Sequence, residues 1–459
     1  MADFEVIVVG AGCAGSAAAL ELARANRSVL IVERGEYAGA KNMTGGRLYT
    51  HALTALLGDQ ARDAPLERRI SHERISFITP DASTTLDFTS EKMREARRDS
   101  YTVLRAPFDQ WLARRAEDAG AEVIYGIPVE GLVYETDEAA PSSQPPSQSS
   151  SRPSSQSPSQ ASSQPSSRRV RGIRAGEDEI TAELVVLADG ANSLLREELT
   201  AAARPAPHTL ALGLKQVIEL DERTISDRFQ CEEGEGAAWL FVGDVTKGHV
   251  GGGFLYTNQN SLSLGLIVTI QEAMQAQTSV SQMLEDFREH PAIATLLRGG
   301  TLLEYSAHLV PEGGFDAMPP LAKDGVLLAG DAAMLCLNLG YQVRGMDYAL
   351  ASGSCAGRVA VAALEAGDVH SDGLRRYQKA LEESFVLKDM RQFRRAPHYL
   401  EQTPRLFSAY PALANEALER LFTVDGTPAL PLSKSLGPLL REAGPLNLLK
   451  DLRRGMRAL

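Results

Sequence analysis

A glycine-rich turn near the N-terminus has the residue types that bind a pyrophosphate. The apolar, strand-like run Phe4–Val9 leads directly into Gly10, Gly12 and Gly15. In such a turn the first glycine permits the tight bend, the second lets the backbone approach a phosphate, and the third allows a helix to pack closely on the strand. The helix N-terminus then offers free N–H groups and the positive end of its dipole. We therefore expect a dinucleotide site formed by a strand, a turn and a helix.

Glu33 narrows the choice of dinucleotide. It ends the next apolar run, Ser28–Glu33, so the segment reads as a strand–helix–strand unit. A carboxylate at this point accepts hydrogen bonds from an adenosine ribose and repels a 2′-phosphate, which favours FAD or NAD over NADP. Asn26 stands where a glycine commonly ends the helix. Asparagine tolerates the left-handed conformation, so this departure costs little.

Two further turns separate FAD from NAD. Asp189-Gly190 follows the buried strand Leu184–Ala188, and Gly330-Asp331 follows another apolar strand and precedes an apparent helix. Alone, each such pair is usually a plain turn. Their order and context resemble the single-dinucleotide flavoprotein superfamily of aromatic hydroxylases and geranylgeranyl reductases. By that resemblance the cofactor is FAD, Asp331 hydrogen-bonds its ribityl chain, and Asp189-Gly190 closes the site near it.

Longer segments are similar to the FixC branch of the electron-transfer-flavoprotein:quinone oxidoreductase family. They are Arg34–Gly46, Leu104–Trp111, Leu337–Asp347 and Leu446–Leu459. The resemblance runs from Asp3 to Leu459 and leaves out residues 141–167. It implies that FAD is the redox centre, and that electrons pass between an electron transfer flavoprotein and a quinone or a ferredoxin-like protein.

The resemblance also implies where the site residues lie. It puts Lys41, Asn42 and Gly46 in a loop near the isoalloxazine ring, and Arg105 in contact with FAD. It puts Gly340–Met346 at a turn and helix start under the pyrimidine edge of the flavin, where a helix N-terminus favours the anionic reduced form. No catalytic triad is expected, because the flavin carries the chemistry. The other residues assigned to the FAD site are Cys13, Ala14, Arg34, Val129, Arg344 and Gly345.

The cysteines bear on the electron partners. Cys13, Cys231, Cys336 and Cys355 show no spacing typical of a zinc site, a redox disulfide or an iron–sulfur cluster, and the histidines show no metal-ligand spacing. We expect no metal, and a reducing, cytoplasmic setting. The larger members of the family carry a [4Fe–4S] cluster on a C-terminal module. This chain has too few cysteines for one, so the predicted cluster lies on a separate small ferredoxin-like protein.

Composition and length predict an ordinary globular architecture. The chain has 459 residues, of which 44% are hydrophobic and 23% charged. We predict an α/β fold with a Rossmann-type FAD-binding domain built from residues 1–206 and 316–370. A smaller antiparallel-sheet domain for the substrate or acceptor spans 207–315, and a helical region spans 371–459.

Residues 141–167 depart from globular composition. Of these 27 residues, 14 are Ser, 6 are Pro and 5 are Gln. Such a segment buries too little apolar surface to offset its ordering entropy, so it is predicted to be disordered. Strand-like runs at Glu130–Glu135 and Val170–Arg174 flank it. It therefore reads either as an inert insertion at a hairpin tip or as a phosphorylated or docking linker.

Charge excludes one class of partner and suggests another. The chain carries 47 Lys and Arg against 59 Asp and Glu, a net charge of −12, which disfavours a general nucleic-acid binder. Residues 434–459 are locally basic, and Leu452, Met456 and Leu459 repeat there at helical spacing. This tail could lie on the inner face of an anionic membrane, bind an acidic partner, or dock on the protein as a plain terminal helix.

Two other functions stay open on the sequence. One is a single-component FAD monooxygenase or prenyl reductase that acts on a bound organic substrate with NAD(P)H. The other is a non-redox FAD-binding subunit. Rapid bleaching of the flavin by NAD(P)H would indicate the first, and a colourless purified protein the second.

Overall fold

The computed structural model of the protein describes residues 2–42, 46–95, 99–135, 168–200 and 204–459. The predicted insertion at 141–167 lies outside the described residues. The strands in chain order are β1 (Phe4–Val9), β2 (Val29–Glu33), β3 (Gly46–Tyr49), β4 (Arg69–Ile78), β5 (Ser83–Thr89), β6 (Ser100–Val103), β7 (Glu122–Tyr125), β8 (Gly131–Tyr134), β9 (Val170–Ala175), β10 (Asp178–Leu187), β11 (Leu210–Glu219), β12 (Glu235–Gly243), β13 (Gly251–Thr257), β14 (Ser261–Thr269), β15 (Thr301–Pro311), β16 (Ala322–Lys323), β17 (Val326–Leu328), β18 (Leu337–Asn338) and β19 (Val343–Arg344).

The α-helices connect these strands and make up the C-terminal part of the chain. In the described ranges, none of them is both long enough and apolar enough to cross a membrane. They are α1 (Cys13–Arg24), α2 (His51–Leu57), α3 (Arg105–Asp118), α4 (Leu194–Thr200), α5 (Glu222–Phe229), α6 (Ile270–Gln275), α7 (Val280–Glu289), α8 (Pro291–Leu297), α9 (Met346–Ala366), α10 (Ser371–Glu383), α11 (Phe385–Gln392), α12 (Ala396–Glu401), α13 (Ala409–Phe422), α14 (Leu432–Glu442) and α15 (Pro445–Ala458).

The first sheet is the Rossmann-type layer. Its order is β16-β17-β10-β1-β2-β7, and all neighbours from β17 to β7 run parallel. Strand β1 is apolar and buried from Val6 to Val9 because α1, packed against α3 and α9, covers the sheet. Asn26 follows α1 with a φ of 56°, as its position in the sequence predicts.

The second sheet supplies the broad face opposite. Its order is β15-β11-β14-β13-β12-β4-β6-β3, with β5 paired to β4. The neighbours β15, β11, β14, β13 and β12 are antiparallel, as the alternating pattern predicts, while β12 and β4 run parallel. Strands β3–β6 come from residues 46–103, a part of the chain that the sequence placed with the FAD-binding domain. The boundaries proposed at 207, 316 and 371 stay a prediction.

The two faces of the second sheet differ. Its outer face packs on α5, α7 and α8, where Met283, Leu284 and Phe287 are buried. Its inner face turns toward the Rossmann-type layer. The C-terminal helices complete the fold, with α13 packed on β4 and β5 and α12 packed on α15. A space is thereby enclosed between the first sheet, the second sheet and the C-terminal helices.

Two local expectations have different outcomes. The strands that flank the insertion do form a hairpin, because Leu132 pairs with Ile173 and Tyr134 with Val170. The prediction of a helix directly after Gly330-Asp331 was wrong. Residues Gly330–Ala333 make a single 3₁₀ turn, the short hairpin of β18 and β19 follows, and α9 begins at Met346. A run of small apolar residues fits a buried turn as well as a helix, and only packing decides between them.

Candidate functional site

The turn after β1 has the close backbone packing that the glycines predict. Gly10 has a φ of 100°, and a Cβ atom on Gly15 would lie 1.8 Å from the Gly10 carbonyl oxygen. Glu33 braces the same turn, because its two carboxylate oxygens accept the backbone N–H groups of Ala11 at 2.9 Å and Gly35 at 2.7 Å. The first turn of α1 and the end of β2 are thereby fixed side by side.

A buried carboxylate, Asp109, organises the polar side chains above this turn. Arg105 donates from Nε to Oδ1 at 3.0 Å and from Nη2 to Oδ2 at 2.8 Å, and Asn42 donates from its amide to the same carboxylate. A Cβ atom on Gly12 would lie 3.8 Å from Nη2 of Arg105 and 3.7 Å from Nδ2 of Asn42. Two donor groups therefore lie over the bare backbone of the turn. We use the term phosphate wall for the five residues Arg105, Asp109, Asn42, Gly10 and Gly12. The two glycines form its floor.

Burial and charge oppose each other at the phosphate wall. Burial lowers the pKa of Arg105, but the Asp109 carboxylate outweighs it, so the net pKa is raised and the guanidinium stays charged. The Cys13 thiol donates to Asp109 at 3.5 Å, and burial raises its pKa well above the usual range. Cys13 is thus a buried thiol and not a reactive thiolate.

Two carboxyl groups face the space above this turn, each shortly after the end of a parallel strand. Asp189 follows β10 and Asp331 follows β17, and burial raises the pKa of each to about 6. For Asp331 the nearby Arg105 opposes that rise. Among the described residues, the Oδ1 atom of Asp189 is buried without a hydrogen-bond partner. An unsatisfied buried acceptor at the edge of a nucleotide cavity fits a ligand hydroxyl group.

Most of these groups line one cavity of about 840 Å³, while Asp109 is buried outside its lining. Most of the residues predicted from the sequence face it. They are Gly10, Gly12, Cys13, Ala14, Glu33, Arg34, Lys41, Asn42, Gly46, Arg105, Val129, Asp189, Gly190, Asp331, Gly340, Gly345 and Met346. Their contact with FAD stays a prediction.

Three predicted residues do not line the cavity. Gly15 and Gly330 lie behind it, in helix packing. Arg344 points away and joins α9 to α11, donating to Asp347 at 2.8 and 2.6 Å and to Asp389 at 2.7 Å. The motif that carries the resemblance does not show on which side of the β18–β19 hairpin Arg344 lies. That side depends on charged residues far along the chain, such as Asp389.

Sequence reasoning missed the opposite side of the cavity. The inner face of the second sheet and the C-terminal helices line it with apolar side chains, which we call the apolar wall: Phe77, Leu240, Phe254, Ile267, Val310, Leu400, Phe407 and Leu459. Strand alternation could have shown which residues share a face, but not that this face meets α12. Polar groups interrupt it, among them His308, whose pKa burial lowers to about 4, and Glu312, whose pKa burial raises to about 7.

Three family models match separate parts of this chain. Residues 5–98 match the family model "FAD dependent oxidoreductase", 210–310 match "ETF-QO, ubiquinone-binding", and 396–459 match "ETF-QO/FixC family C-terminal domain". The chain is 46% identical over 456 residues to the probable electron transfer flavoprotein-quinone oxidoreductase YdiS of Escherichia coli K12, covering 99% of both. The chain belongs to the ETF-QO/FixC family. Protein FixC of the same strain is 44% identical over 456 residues, again covering 99% of both.

Solved structures show the same fold as this ETF-QO/FixC family member. A geranylgeranyl bacteriochlorophyll reductase-like protein from Thermoplasma acidophilum has a TM-score of 0.67 and 20% identity, covering 98% of this chain and 99% of its own. The myxobacterial chondrochloren halogenase CndH has a TM-score of 0.63 and 18% identity, covering 96% of both. At these identities the likeness concerns the fold alone.

The family and the site together identify the cofactor class. The protein is an FAD-dependent oxidoreductase. The residues present fit FAD, because the phosphate wall offers donors over a bare glycine turn and Asp189 offers an unsatisfied acceptor. Within the described residues no cluster of His, Cys, Asp and Glu could hold a metal ion.

Proposed function

We propose that this protein relays electrons between an electron transfer flavoprotein and a quinone through bound FAD. One observation carries the proposal: the phosphate wall and the apolar wall enclose a single cavity. A nucleotide cofactor needs the first, and a lipophilic acceptor such as a quinone needs the second. Both can then meet inside one shielded space. The names of the relatives, electron transfer flavoprotein-quinone oxidoreductase among them, support the same reading.

The chain's own residues bind and orient, while FAD supplies the redox chemistry. With FAD bound, Arg105 and Asn42 would hold the pyrophosphate, and Asp331 would accept from the ribityl chain. Lys41 and Gly46 would lie on the side of the isoalloxazine ring. The backbone around Gly340–Met346, at the start of α9, would stabilise negative charge on the reduced ring.

The direct test supplies both partners to the purified holoprotein. Reduced electron transfer flavoprotein and a short-chain ubiquinone should give hydroquinone at a rate that depends on this protein. Without quinone, the flavin should be reduced and stay reduced. A protein whose flavin is bleached by NAD(P)H, faster when an aromatic substrate is present, would instead be a monooxygenase. A colourless protein that reduces no quinone would be a non-redox subunit.

We also propose that the cluster of the pathway lies on a separate ferredoxin-like chain in the cytoplasm. The four cysteines lie far apart, in α1, after α5, before β18 and within α9. Burial raises the pKa of each thiol, so none is a ready thiolate ligand. Addition of a purified small ferredoxin should accelerate reoxidation of the reduced flavin. No acceleration by any such protein would count against this partner.

The C-terminal region supports peripheral contact with the inner face of a membrane. Helix α15 is docked through Asp451, which is 1% exposed and accepts from Arg405 at 2.8 and 3.0 Å and from Tyr410 at 2.6 Å. Its opposite side is apolar and open to solvent, and it continues onto α14 and the end of α13. This terminal apolar surface consists of Phe422, Val424, Leu430, Leu432, Leu440, Leu446, Leu449, Leu452 and Met456.

Basic residues beside the terminal apolar surface, such as Lys450 and Arg453, suit an anionic bilayer. Flotation with vesicles containing anionic lipid tests this contact. Replacing Leu446, Leu449, Leu452 and Met456 with serine should release the protein from vesicles. As a matched control, serine at the exposed Met274 and Leu303 should leave binding intact. Equal binding by both variants would contradict the proposal.

A further inference from the structure

Glu312 is an acidic side chain on the side of the cavity that carries the apolar wall. It directly follows β15 and faces the cavity beside Val310 and Leu400 of the apolar wall. Its backbone N–H donates to the carbonyl oxygen of Thr209 at 2.8 Å, which fixes the chain at this point. A buried carboxyl group costs stability unless hydrogen bonds compensate it, so its presence here requires a reason.

The carboxyl group is held in one orientation. Asn338 donates from Nδ2 to both of its oxygens, at 3.2 and 3.0 Å. The Oδ1 atom of the same amide accepts the backbone N–H of Gly340 at 2.8 Å. Asn338 therefore links Glu312 to the turn that precedes α9.

Glu312 lies where three elements of the cavity come together. A Cβ atom on Gly340 would lie 3.9 Å from Cδ2 of Leu400, and one on Gly314 would lie 2.9 Å from Cγ of Pro397. The end of β15, the turn before α9 and helix α12 thus meet near this carboxyl group. A ligand on the apolar wall and a flavin against the start of α9 would both be its neighbours.

We propose that Glu312 donates a proton to a quinone reduced in this cavity, and that Asn338 is the residue that positions it. The inference rests on the proposed function. Reduction of a quinone to a hydroquinone needs two electrons and two protons. Bound reduced FAD would supply both electrons and one of the protons. The Glu312 O–H bond breaks as the second O–H bond forms on the quinone, and the carboxylate then takes a proton from water.

The protonation state of Glu312 suits this role. Burial raises its pKa to about 7, and the amide of Asn338 opposes part of that rise. The carboxyl group is therefore available in both forms near neutral pH, which is the condition for efficient proton transfer. The titratable side chains on the elements around it, which must be considered in any pH profile, are His208, Asp331, Cys336, Tyr341, Tyr399 and Glu401.

The test compares two acceptors that differ in their need for protons. The holoprotein is reduced anaerobically with dithionite and mixed in a stopped-flow instrument with a short-chain ubiquinone or with ferrocenium, which takes one electron and no proton. Glu312→Gln should slow oxidation by the quinone about 100-fold. Oxidation by ferrocenium should be unchanged. Glu289→Gln, which removes an exposed carboxyl group on α7 outside the cavity, is the matched control and should affect neither reaction.

The pH profile gives a readout that a merely structural role would not move. Oxidation of the native protein by quinone should fall with increasing pH above about 7, because the proton donor is lost. Glu312→Gln should show no such fall. Asn338→Ala should shift the fall to higher pH, since the amide favours the carboxylate form.

The outcomes separate the two proposals. A native protein that reduces ferrocenium but not quinone would overturn the proposed function. A native protein and Glu312→Gln that reduce quinone equally well would overturn only the role of Glu312. Equal slowing with both acceptors would also overturn it, because the substitution would then have changed the flavin and not a proton transfer.

Discussion

The phosphate wall and the apolar wall enclose one cavity but are built in opposite ways. At the phosphate wall, Asp109 is fully buried, and its carboxylate accepts hydrogen bonds from the side chains of Arg105, Asn42 and Cys13. In the apolar wall, side chains from several strands and helices make apolar contacts with one another. Beside them, hydrogen bonds from Asn338 hold the Glu312 carboxyl group. The first arrangement suits a charged ligand held in one pose, whereas the second suits a lipophilic molecule that must enter and leave.

The largest effect is expected from disrupting the helix packing behind the phosphate wall. Gly15→Ala places a methyl group 1.8 Å from the Gly10 carbonyl oxygen, so α1 must move away from β1. We expect FAD affinity to fall about 1,000-fold, equivalent to about 4 kcal/mol. Flavin fluorescence titration measures it. Gly437→Ala, on α14 where the nearest group is 3.7 Å away, should bind FAD normally. Normal binding by both variants would refute the close packing assigned to the turn.

Removing the centre of the phosphate wall should come next. Asp109→Ala leaves the Arg105 guanidinium without its buried carboxylate, and we expect the free energy of unfolding to drop by about 3 kcal/mol in urea. The exposed pair of Arg62 and Asp59, 3.7 Å apart, provides the comparison. Asp59→Ala should change stability by less than about 0.5 kcal/mol. Similar small losses in both would mean that Asp109 does not organise this wall.

The apolar wall should respond in binding and not in cofactor content. Leu400→Asn puts an amide into the cavity with the same branching and number of non-hydrogen side-chain atoms, and we expect KM for a short-chain ubiquinone to rise about tenfold, or about 1.4 kcal/mol. Bound FAD should be unchanged, and Leu400→Met should resemble the native protein. Loss of FAD in the Leu400→Asn variant would erase the distinction between the walls.

The smallest effect concerns Asp331 and pH. Burial raises its pKa from 3.8 to about 6, so the folded state binds its proton more tightly than the unfolded chain and loses stability as the pH rises through this interval. Asp331→Asn should therefore raise Tm of the FAD-free protein by about 2 °C above pH 6 and not at all below about pH 4. The same variant should bind FAD more weakly. If Asp331→Asn raised both Tm and the affinity for FAD, Asp331 would make no contact with the cofactor.

Local chemistry made the phosphate wall largely predictable. Gly10, Gly12 and Glu33 lie in one strand–helix–strand unit, and their roles follow from steric and hydrogen-bonding rules that act over a few residues. Arg105 was reached through resemblance, and the structure adds that Asp109, four residues later, holds it. A charged pair at this spacing on one helix is a signal that the sequence did contain.

The apolar wall was not predictable in the same way. Val310, Leu400 and Phe407 come together only because the second sheet, the turn before α9 and the C-terminal helices converge. Strands β3–β6 joined that sheet from a distant part of the chain for the same reason. Alternation tells which residues share a face, but the choice of partner depends on long-range packing. Glu312 was missed because a single acid after a strand is indistinguishable from a surface residue.

The hairpin of β8 and β9 offers a practical opportunity. Tyr134 pairs with Val170, and Glu135 donates from its backbone N–H to the Arg169 carbonyl oxygen at 2.8 Å, so the two chain ends that bracket residues 136–167 are neighbours. A folded domain with adjacent termini, such as a fluorescent reporter, can be spliced between such ends at little entropic cost. An electron carrier fused there would be tethered to the oxidoreductase while both termini of the chain stay free.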